Sequence, residues 1–147
     1  MKNACINKLR IVLPALSVNE GAGRAIISAF CAQLNPTIEE IADIKCAVSE
    51  AITNSIVHAY KEKHGDIYIT VRLFDTRTVK IEIKDKGCGI EDTELVKTPL
   101  YTTDNSGERS GMGFSVMESF MDSLTLKSIP GKYTKVILVK KLSPLEL

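Results

Sequence analysis

Three polar residues with chemical potential lie on one stripe of a predicted helix. Glu50, Asn54 and His58 are spaced by four residues, so an α-helix places them along one face. Any amphipathic helix also presents polar residues to solvent opposite its apolar stripe. Asn54 favours a further role, because an asparagine amide competes for backbone hydrogen bonds and is a poor residue inside a helix. Its side-chain oxygen is therefore a candidate ligand for Mg²⁺.

A second candidate is the segment Asp85-Lys86-Gly87-Cys88-Gly89, which directly follows an alternating apolar run. Such a segment is often only a turn. It also suits a nucleotide site, because Gly87 and Gly89 would let the backbone approach a flat ligand closely. The carboxylate of Asp85 could then accept a hydrogen bond from an adenine amino group.

A third candidate is the pair Gly111 and Gly113, which immediately precedes a predicted helix. The free amide groups at a helix N-terminus and the helix dipole together favour phosphate, and glycine removes side chains that would block it. The same two glycines would also give the helix a flexible entry. The pattern alone leaves both interpretations open.

Length and composition limit the remaining possibilities. A chain of 147 residues fits a single domain, residues 1–147. The chain has 19 basic and 18 acidic residues, so its net charge gives no sign of a basic surface that would bind a polyanion. We therefore expect no direct nucleic-acid binding. The four cysteines form no CxxC pair, and no apolar run approaches the roughly 20 residues of a membrane span. We therefore expect a cytoplasmic protein that does not bind the membrane.

Two helices that follow a short first strand should position the Glu50 stripe. Ser17 with Glu20, and Thr37 with Glu40, have the spacing of capping boxes at the two helix starts. The second helix has an apolar stripe made of Ile41, Ile44, Val48, Ile52 and Ile56. This stripe predicts a long central helix with one buried face.

The second half of the chain predicts two hairpins separated by a long loop. Residues 67–73 and 79–83 alternate between apolar and polar, and residues 124–129 and 133–139 form a similar pair after a short helix. Residues 91–110 show no periodicity and exceed normal loop lengths, so we predict a lid there. The order predicts an α+β fold, a two-layer α/β sandwich with helices on one face of a mixed, mostly antiparallel sheet.

Taken in this order, the motifs resemble those of the GHKL, or Bergerat-fold, ATPases, which include histidine kinases and DNA gyrase. The motifs that match the family are Glu50xxxAsn54, Asp85xGly87xGly89, Gly111xGly113 and Thr134. Within this family the chain is most similar to the anti-sigma factor serine kinases, especially their sporulation branch. That likeness is carried by residues 32–37, 48–54, 99–103 and 108–114 and covers nearly the whole chain.

The resemblance implies an ATP site with Mg²⁺ as its metal. Asp85 would bind adenine, with Gly87, Gly89 and Thr134 completing that pocket, and Asn54 would hold Mg²⁺ against the phosphates. The other residues that the resemblance assigns to ATP are Thr102, Thr103, Ser110, Gly111, Met112 and Gly113. Tyr133 departs from the family pattern, because related sequences often have glycine before the terminal threonine.

The resemblance also implies catalytic and partner-binding residues. Glu50 would orient or deprotonate a substrate serine, and Arg109 would act as a lid arginine that reaches the terminal phosphate or the docked partner. Arg24 would lie on the partner-facing surface, although an exposed helix charge explains it equally well. We expect His58 to be structural, since the helix dipole favours histidine in a last turn.

The implied function is an ATP-dependent protein serine/threonine kinase that also inhibits a sporulation sigma factor of the sigma F type. Its substrate would be an anti-anti-sigma factor, and the chain would form a homodimer. Two alternatives are a nucleotide-gated binding module without significant turnover and the catalytic domain of a histidine kinase. The second is disfavoured because the ATP-binding fold would use all 147 residues, which leaves no helix pair for a phospho-accepting histidine.

Overall fold

The computed structural model describes residues 3–61, 63–91 and 113–146. Its elements follow the predicted order. The helices are α1 (Val18–Cys31), α2 (Ile38–Asn54) and α3 (Gly113–Phe120), with a 3-10 turn at Ala32–Leu34 and a π-helical turn at Ser55–Ala59. The strands are β1 (Cys5–Pro14), β2 (Asp66–Phe74), β3 (Thr78–Asp85), β4 (Ser123–Ile129) and β5 (Tyr133–Lys141). The predicted lid lies outside the described residues, apart from its first residue.

The five strands form one sheet in the order β1-β2-β3-β5-β4. Every strand pair in the described part of the chain is antiparallel. The α+β sandwich is therefore confirmed, and the sheet that we expected to be mixed or mostly antiparallel has no parallel pair among these strands. The register between β3 and β5 places Asp85 opposite Thr134, at the sheet end where the second candidate motif begins.

The core lies between one face of this sheet and the helices. Alternate residues of β2 and β3 are buried, namely Ile67, Ile69, Val71, Leu73, Val79, Ile81 and Ile83. They pack with Ile44, Val48 and Ile52, so the predicted apolar stripe of α2 is confirmed. This burial leaves the opposite stripe of α2, which carries Glu50 and Asn54, facing away from the sheet.

One of the two predicted capping boxes is confirmed and the other is wrong. Thr37 Oγ1 accepts a hydrogen bond from the Glu40 amide at 3.0 Å, and Glu40 Oε1 accepts one from the Thr37 amide at 2.9 Å. Ser17 has helical dihedral angles and makes no side-chain cap. Its expected partner Glu20 instead accepts a hydrogen bond of 2.5 Å from the hydroxyl of Ser49 on α2. A contact between helices has replaced the local one.

None of the helices in the described ranges is long and apolar enough to cross a lipid bilayer.

The capping box at Thr37 generates a stability prediction. Thr37→Ala removes the acceptor for the Glu40 amide and is expected to lower the free energy of unfolding by about 1 kcal/mol. Thr37→Ser keeps an acceptor oxygen, so its free energy of unfolding should stay close to that of the parent protein. Urea denaturation of both variants measures the difference as a shift in midpoint at constant slope. Equal midpoints for the two variants would contradict a contribution from this cap.

Candidate functional site

The end of α2 connects two parts of the candidate site. Glu50 and Asn54 are one helical turn apart, and the helix then widens into the π-helical turn Ser55–Ala59. Turns of this kind occur mostly as single insertions in α-helices, frequently at functional sites. The turn directs the buried side chain of Ser55 to the end of β3, whereas Asn54 remains on the α3 side.

Asp85 is a buried carboxylate at the end of β3, with only 3% of its surface exposed. Its Oδ2 accepts a hydrogen bond from Ser55 Oγ at 3.2 Å, and its Oδ1 accepts one from the Gly87 amide at 3.1 Å. These two donors fix the plane of the carboxylate. The Thr134 amide adds a weaker hydrogen bond, and the acceptor capacity that remains on the carboxylate could serve a ligand.

Burial also changes the acidity of Asp85. Desolvation raises its pKa above the usual value of 3.8, while hydrogen bonds from Gly87, Ser55 and Thr134 oppose the shift without cancelling it. The ionised form is therefore held in an environment that disfavours it. A ligand that donates a hydrogen bond to this carboxylate would relieve part of that penalty.

Gly87 and Gly89 are required by close backbone contacts. A Cβ atom on Gly87 would lie 2.4 Å from the carbonyl oxygen of Ala59, and one on Gly89 would lie 2.4 Å from that of Ile129. Gly89 also has a φ of +73°, in the left-handed region that favours glycine. Between them, Cys88 donates its amide to the Ala59 carbonyl at 3.0 Å. The loop therefore joins the π-helical turn to the β4–β5 hairpin.

Thr134 lies next to Asp85 across the β3–β5 ladder and is buried. Its hydroxyl is 3.0 Å from that of Ser128, which also accepts a hydrogen bond from the Ile90 amide at 2.7 Å. Tyr133 points to the opposite face of the sheet, where its ring lies below the Lys84 ammonium. A tyrosine in place of the family's glycine therefore leaves the Asp85 side of Thr134 unobstructed.

Glu50 and Asn54 meet the start of α3. A Cβ atom on Gly113 would lie 3.2 Å from Glu50 Oε2 and 3.2 Å from Asn54 Nδ2. Glycine therefore allows the N-terminus of α3 to approach both side chains. The buried Asn54 Nδ2 has no hydrogen-bond partner within the described part of the chain. A buried amide without a partner is costly, so this atom marks a place that a ligand could complete.

The side chains that the structure describes do not form a metal cage by themselves. Over residues 3–61, 63–91 and 113–146, no group of three or more His, Cys, Asp or Glu side chains could hold a metal ion. A single side-chain oxygen, such as that of Asn54, fits Mg²⁺ in sites where substrate phosphates and water supply most of the ligands.

A groove of about 630 Å³ runs beside Glu50 between the three helices. Its lining includes Arg24 of α1, Ser49 and Glu50 of α2, and Phe120 of α3. Arg24 is 44% exposed and lies 3.5 Å from Glu20, so this surface ion pair holds it only weakly. Glu50 thus borders both the groove and the space beside Gly113.

The structure brings together Glu50, Asn54 and Gly113 on one side, and Asp85, Gly87, Gly89 and Thr134 on the other. Arg24 lies apart from both, across the groove. The predicted site residues Thr102, Thr103, Arg109, Ser110, Gly111 and Met112 lie outside the described residues.

Two residues that support the site were not predicted from the sequence. Ser55 donates to Asp85, and Tyr60 donates its hydroxyl to the Asp66 carbonyl at 2.6 Å while accepting from the Lys86 amide at 2.7 Å. A serine directly after Asn54, near the end of an apolar helix, was the available signal for Ser55. Tyr60 gave none, because its two partners are backbone groups that only the fold brings close.

Comparison with known proteins identifies the family. Residues 13–140 match the model of the histidine kinase-like ATPase domain, so the chain belongs to that family of ATPase domains. The resemblance to GHKL proteins is therefore confirmed. Nucleotide binding is a property that defines this family.

Individual relatives show which branch of the family the chain resembles most strongly. The chain is 51% identical to the anti-sigma F factor of Caldanaerobacter subterraneus over 134 residues, which cover 91% of this chain and 93% of the relative. It is 49% identical to the anti-sigma F factor of Clostridium perfringens strain SM101, over 93% of this chain and 98% of the relative. The resemblance to the anti-sigma factor branch is confirmed over almost the entire length.

Solved structures support the fold. The RsbU and RsbW domains of Rv1364c from Mycobacterium tuberculosis superpose with a TM-score of 0.69 at 20% identity, over 95% of this chain and 33% of that one. The catalytic domain of the histidine kinase ThkA superposes with a TM-score of 0.55 at 14% identity, over 92% of this chain and 97% of that domain.

The buried carboxylate generates a prediction for the protein without ligand. Because folding raises the pKa of Asp85, its ionised form lowers the free energy of unfolding at neutral pH. That penalty disappears as the pH falls through the raised folded pKa toward 3.8. Relative to the parent, Asp85→Asn should therefore gain stability as the pH rises from about 4 to about 7, on top of a pH-independent loss, because one oxygen that accepts from Ser55 or Gly87 is replaced by a donor.

Glu82→Gln is the matched control, since Glu82 lies on the same strand but on the opposite, solvent-facing side of the sheet. Chemical denaturation of both variants and of the parent between about pH 4 and pH 7 measures how the free energy of unfolding of each depends on pH. A loss of stability for Asp85→Asn that is greatest at pH 7 would contradict the assigned direction.

Proposed function

We propose that the protein is an anti-sigma factor that binds a sigma factor of the sigma F type and uses ATP with Mg²⁺ to phosphorylate a serine of its anti-anti-sigma antagonist. The observation that carries this proposal is the position of Glu50. Its carboxylate borders the space at the start of α3 and also lines the groove that contains Arg24. One acidic group therefore has access to both a nucleotide and a protein substrate.

Adenine fits the pocket around Asp85. An adenine ring carries an amino group that donates to a fixed carboxylate, and Asp85 is held by Ser55 and Gly87 with acceptor capacity remaining. The backbone of the loop at Gly87 and Gly89 forms a narrow edge of the pocket, and Thr134 provides a hydroxyl on the adjacent strand. Guanine carries a carbonyl at the equivalent position, so Asp85 favours adenine.

The phosphates fit the start of α3. The first-turn amides of this helix have no intrahelical partners, and Gly113 leaves the approach open. Asn54 offers its side-chain oxygen to Mg²⁺, while its unpartnered Nδ2 is within reach of a phosphate oxygen that approaches Gly113. The metal would neutralise charge on the phosphates. In this proposal Thr102, Thr103, Ser110, Gly111 and Met112 complete the phosphate side.

Glu50 acts on the substrate serine. Its carboxylate accepts the proton of the serine hydroxyl as the serine oxygen forms a bond to the terminal phosphorus of ATP. The bond from that phosphorus to the bridging oxygen breaks, and ADP leaves with the electron pair. Phosphoryl transfer demands mainly positioning and charge neutralisation, so one carboxylate next to the hydroxyl suffices as base. Arg109 is proposed to assist from the lid.

The groove beside Glu50 receives the protein partners. Arg24 is exposed at its edge, and its planar guanidinium can pair with a carboxylate of an incoming protein. The sigma factor and the antagonist that is to be phosphorylated both require such a protein-facing surface. The named relatives support the sigma F assignment through their 49–51% identity. We also propose that the protein acts in the cytoplasm as a homodimer.

The role of Glu50 is tested with Glu50→Gln, which removes the base and keeps the shape of the side chain. Transfer of labelled phosphate from ATP to the anti-anti-sigma protein should fall by roughly 10²- to 10⁴-fold, the usual range for loss of a general base. The affinity for ATP should change little. Label transfer and ATP affinity are measured separately, with the purified substrate protein and Mg²⁺ present.

Glu39→Gln provides the control, because it makes the same change at the exposed start of α2. It should transfer phosphate at the parent rate. If Glu50→Gln transfers phosphate as fast as Glu39→Gln does, Glu50 is not the general base. Tight ATP binding without label transfer in the parent protein would leave a nucleotide-gated binding module as the better description.

The role of Asn54 is tested with Asn54→Ala. The variant removes a side-chain amide whose Nδ2 has no hydrogen-bond partner among the described residues, so little stability should be lost at that atom. In the parent protein, Mg²⁺ should tighten ATP binding, as measured by calorimetry with Mg²⁺ or with a chelator. In the variant, the two affinities should converge. A variant that keeps the full effect of Mg²⁺ would show that the metal is held elsewhere.

A further inference from the structure

The carboxylate of Glu20 is shared between a serine of α2 and an arginine of its own helix. Its Oε1 accepts a hydrogen bond of 2.5 Å from Ser49 Oγ, and the same oxygen lies 3.5 Å from Arg24 Nη1. The first distance is that of a short hydrogen bond to a charged acceptor. The second exceeds the range of roughly 2.7–3.2 Å in which an N–H group donates well. The carboxylate is therefore held by Ser49 more than by Arg24.

The place of Glu20 in α1 also favours its charge without help from Arg24. Glu20 lies in the first turn of the helix, where the helix dipole stabilises a carboxylate. Its side chain is 23% exposed, whereas that of Arg24 is 44% exposed. Arg24 is thus the more mobile partner of a surface ion pair that holds it weakly.

Ser49 prevents a closer pair between Glu20 and Arg24. A glutamate four residues before an arginine has the favourable order and spacing for an ion pair on a helix, and an arginine fork can bind both oxygens of a carboxylate. Here the serine hydroxyl occupies a lone pair of the very oxygen that lies nearest to the guanidinium. A tighter pair would require the carboxylate to turn away from α2 and lose that hydrogen bond.

The arrangement leaves most of the Arg24 donors facing the groove. A Cβ atom on Gly21 would lie 3.7 Å from Arg24 Nη2, so the guanidinium extends over the glycine at van der Waals distance. The groove lining contains two cations, Arg24 and Lys45, and one carboxylate, that of Glu50. A carboxylate on an incoming protein would therefore meet a guanidinium whose fork is free to bind both of its oxygens.

We propose that Ser49 is a positioning residue for partner binding: by holding Glu20 against α2, it keeps the Arg24 guanidinium free to bind a carboxylate of the sigma factor. The inference rests on the proposed function, in which the groove receives protein partners. Ser49 acts here through Glu20, so its role is separate from the chemistry at the neighbouring Glu50.

The test measures the affinity of the full chain for a purified sigma factor of the sigma F type by calorimetry, at one fixed concentration of ATP and Mg²⁺. Ser49→Ala releases Glu20 to pair with Arg24 and should weaken binding by roughly 2- to 5-fold, within the range of surface ion pairs. Glu20→Gln removes the competing charge but keeps an acceptor for Ser49, so it should tighten binding by a similar factor. In the Glu20→Gln background, Ser49→Ala should have no further effect.

This pattern separates the proposed role from simple packing of α1 on α2. If Ser49→Ala weakens binding equally in both backgrounds, the hydroxyl serves only to hold the helices together, and the proposal is overturned. Weaker binding by Glu20→Gln would overturn it as well, because Glu20 would then support the partner instead of competing with it.

Ser28→Ala is the matched control, because it removes a hydroxyl from the same groove. The Ser28 hydroxyl donates to the Ala25 carbonyl of its own helix at 3.0 Å and does not contact Glu20. This variant should bind the sigma factor with the parent affinity. Weakening equal to that of Ser49→Ala would contradict a specific role for Ser49.

A second measurement requires no partner. Phenylglyoxal modifies accessible guanidinium groups, and mass spectrometry of peptides gives the rate at Arg24. The rate should be lower than that of the parent in Ser49→Ala and higher in Glu20→Gln. Equal rates in all three proteins would overturn the inference even if the sigma factor binds. If the parent binds no sigma factor, the proposed function fails for that partner, and the rates at Arg24 alone decide whether Ser49 controls this guanidinium.

Discussion

The buried carboxylate of Asp85 is the constraint on which the candidate site depends. An ionised group with 3% exposure must be surrounded by donors, and the chain supplies them from different elements. Gly87 donates from the following loop, and Ser55 donates from a π-helical turn that interrupts the end of α2. A regular α-helical continuation would rotate the residues after Asn54 relative to the strand end. The irregular backbone is thus explained by the electrostatic requirement at β3.

The second half of the site depends on the position of α3. Its N-terminus contacts Glu50 and Asn54, while its other end is held by Lys140, whose ammonium donates to the Phe120 carbonyl at 2.6 Å and pairs with Asp43 at 2.9 Å. Lys140 therefore satisfies a C-terminal carbonyl of α3 and ties the helix to α2 and β5. A short helix of eight residues gains its orientation from these contacts more than from its own propensity.

Much of the fold followed from local patterns. The apolar stripe of α2, the alternation in β2 and β3 and the box at Thr37 each state a local preference that the tertiary structure preserves. The box at Ser17 failed because Glu20 finds a partner on another helix, and no local pattern reveals that contact. The motif residues Asp85, Gly87 and Gly89 were also predicted from a local pattern. Glycine and aspartate at fixed spacing after a strand are compatible with few structures other than a tight turn or a ligand-binding loop. Ser55 and Tyr60 were not found, since their roles depend on which backbone and carboxylate groups the fold brings to them.

The distribution of charge over the two faces of the sheet could not be predicted from composition, because alternate residues of each strand point to opposite faces. Side chains two residues apart along a strand share a face, and antiparallel register then aligns lysines from distant parts of the sequence, such as Lys84, Lys135 and Lys127. Aligned like charges destabilise a sheet through repulsion, and long side chains that carry the charged groups into solvent reduce that repulsion. The helix side faces the opposite demand: its unpartnered Asn54 amide and buried Asp85 carboxylate require donors and acceptors that a nucleotide can provide.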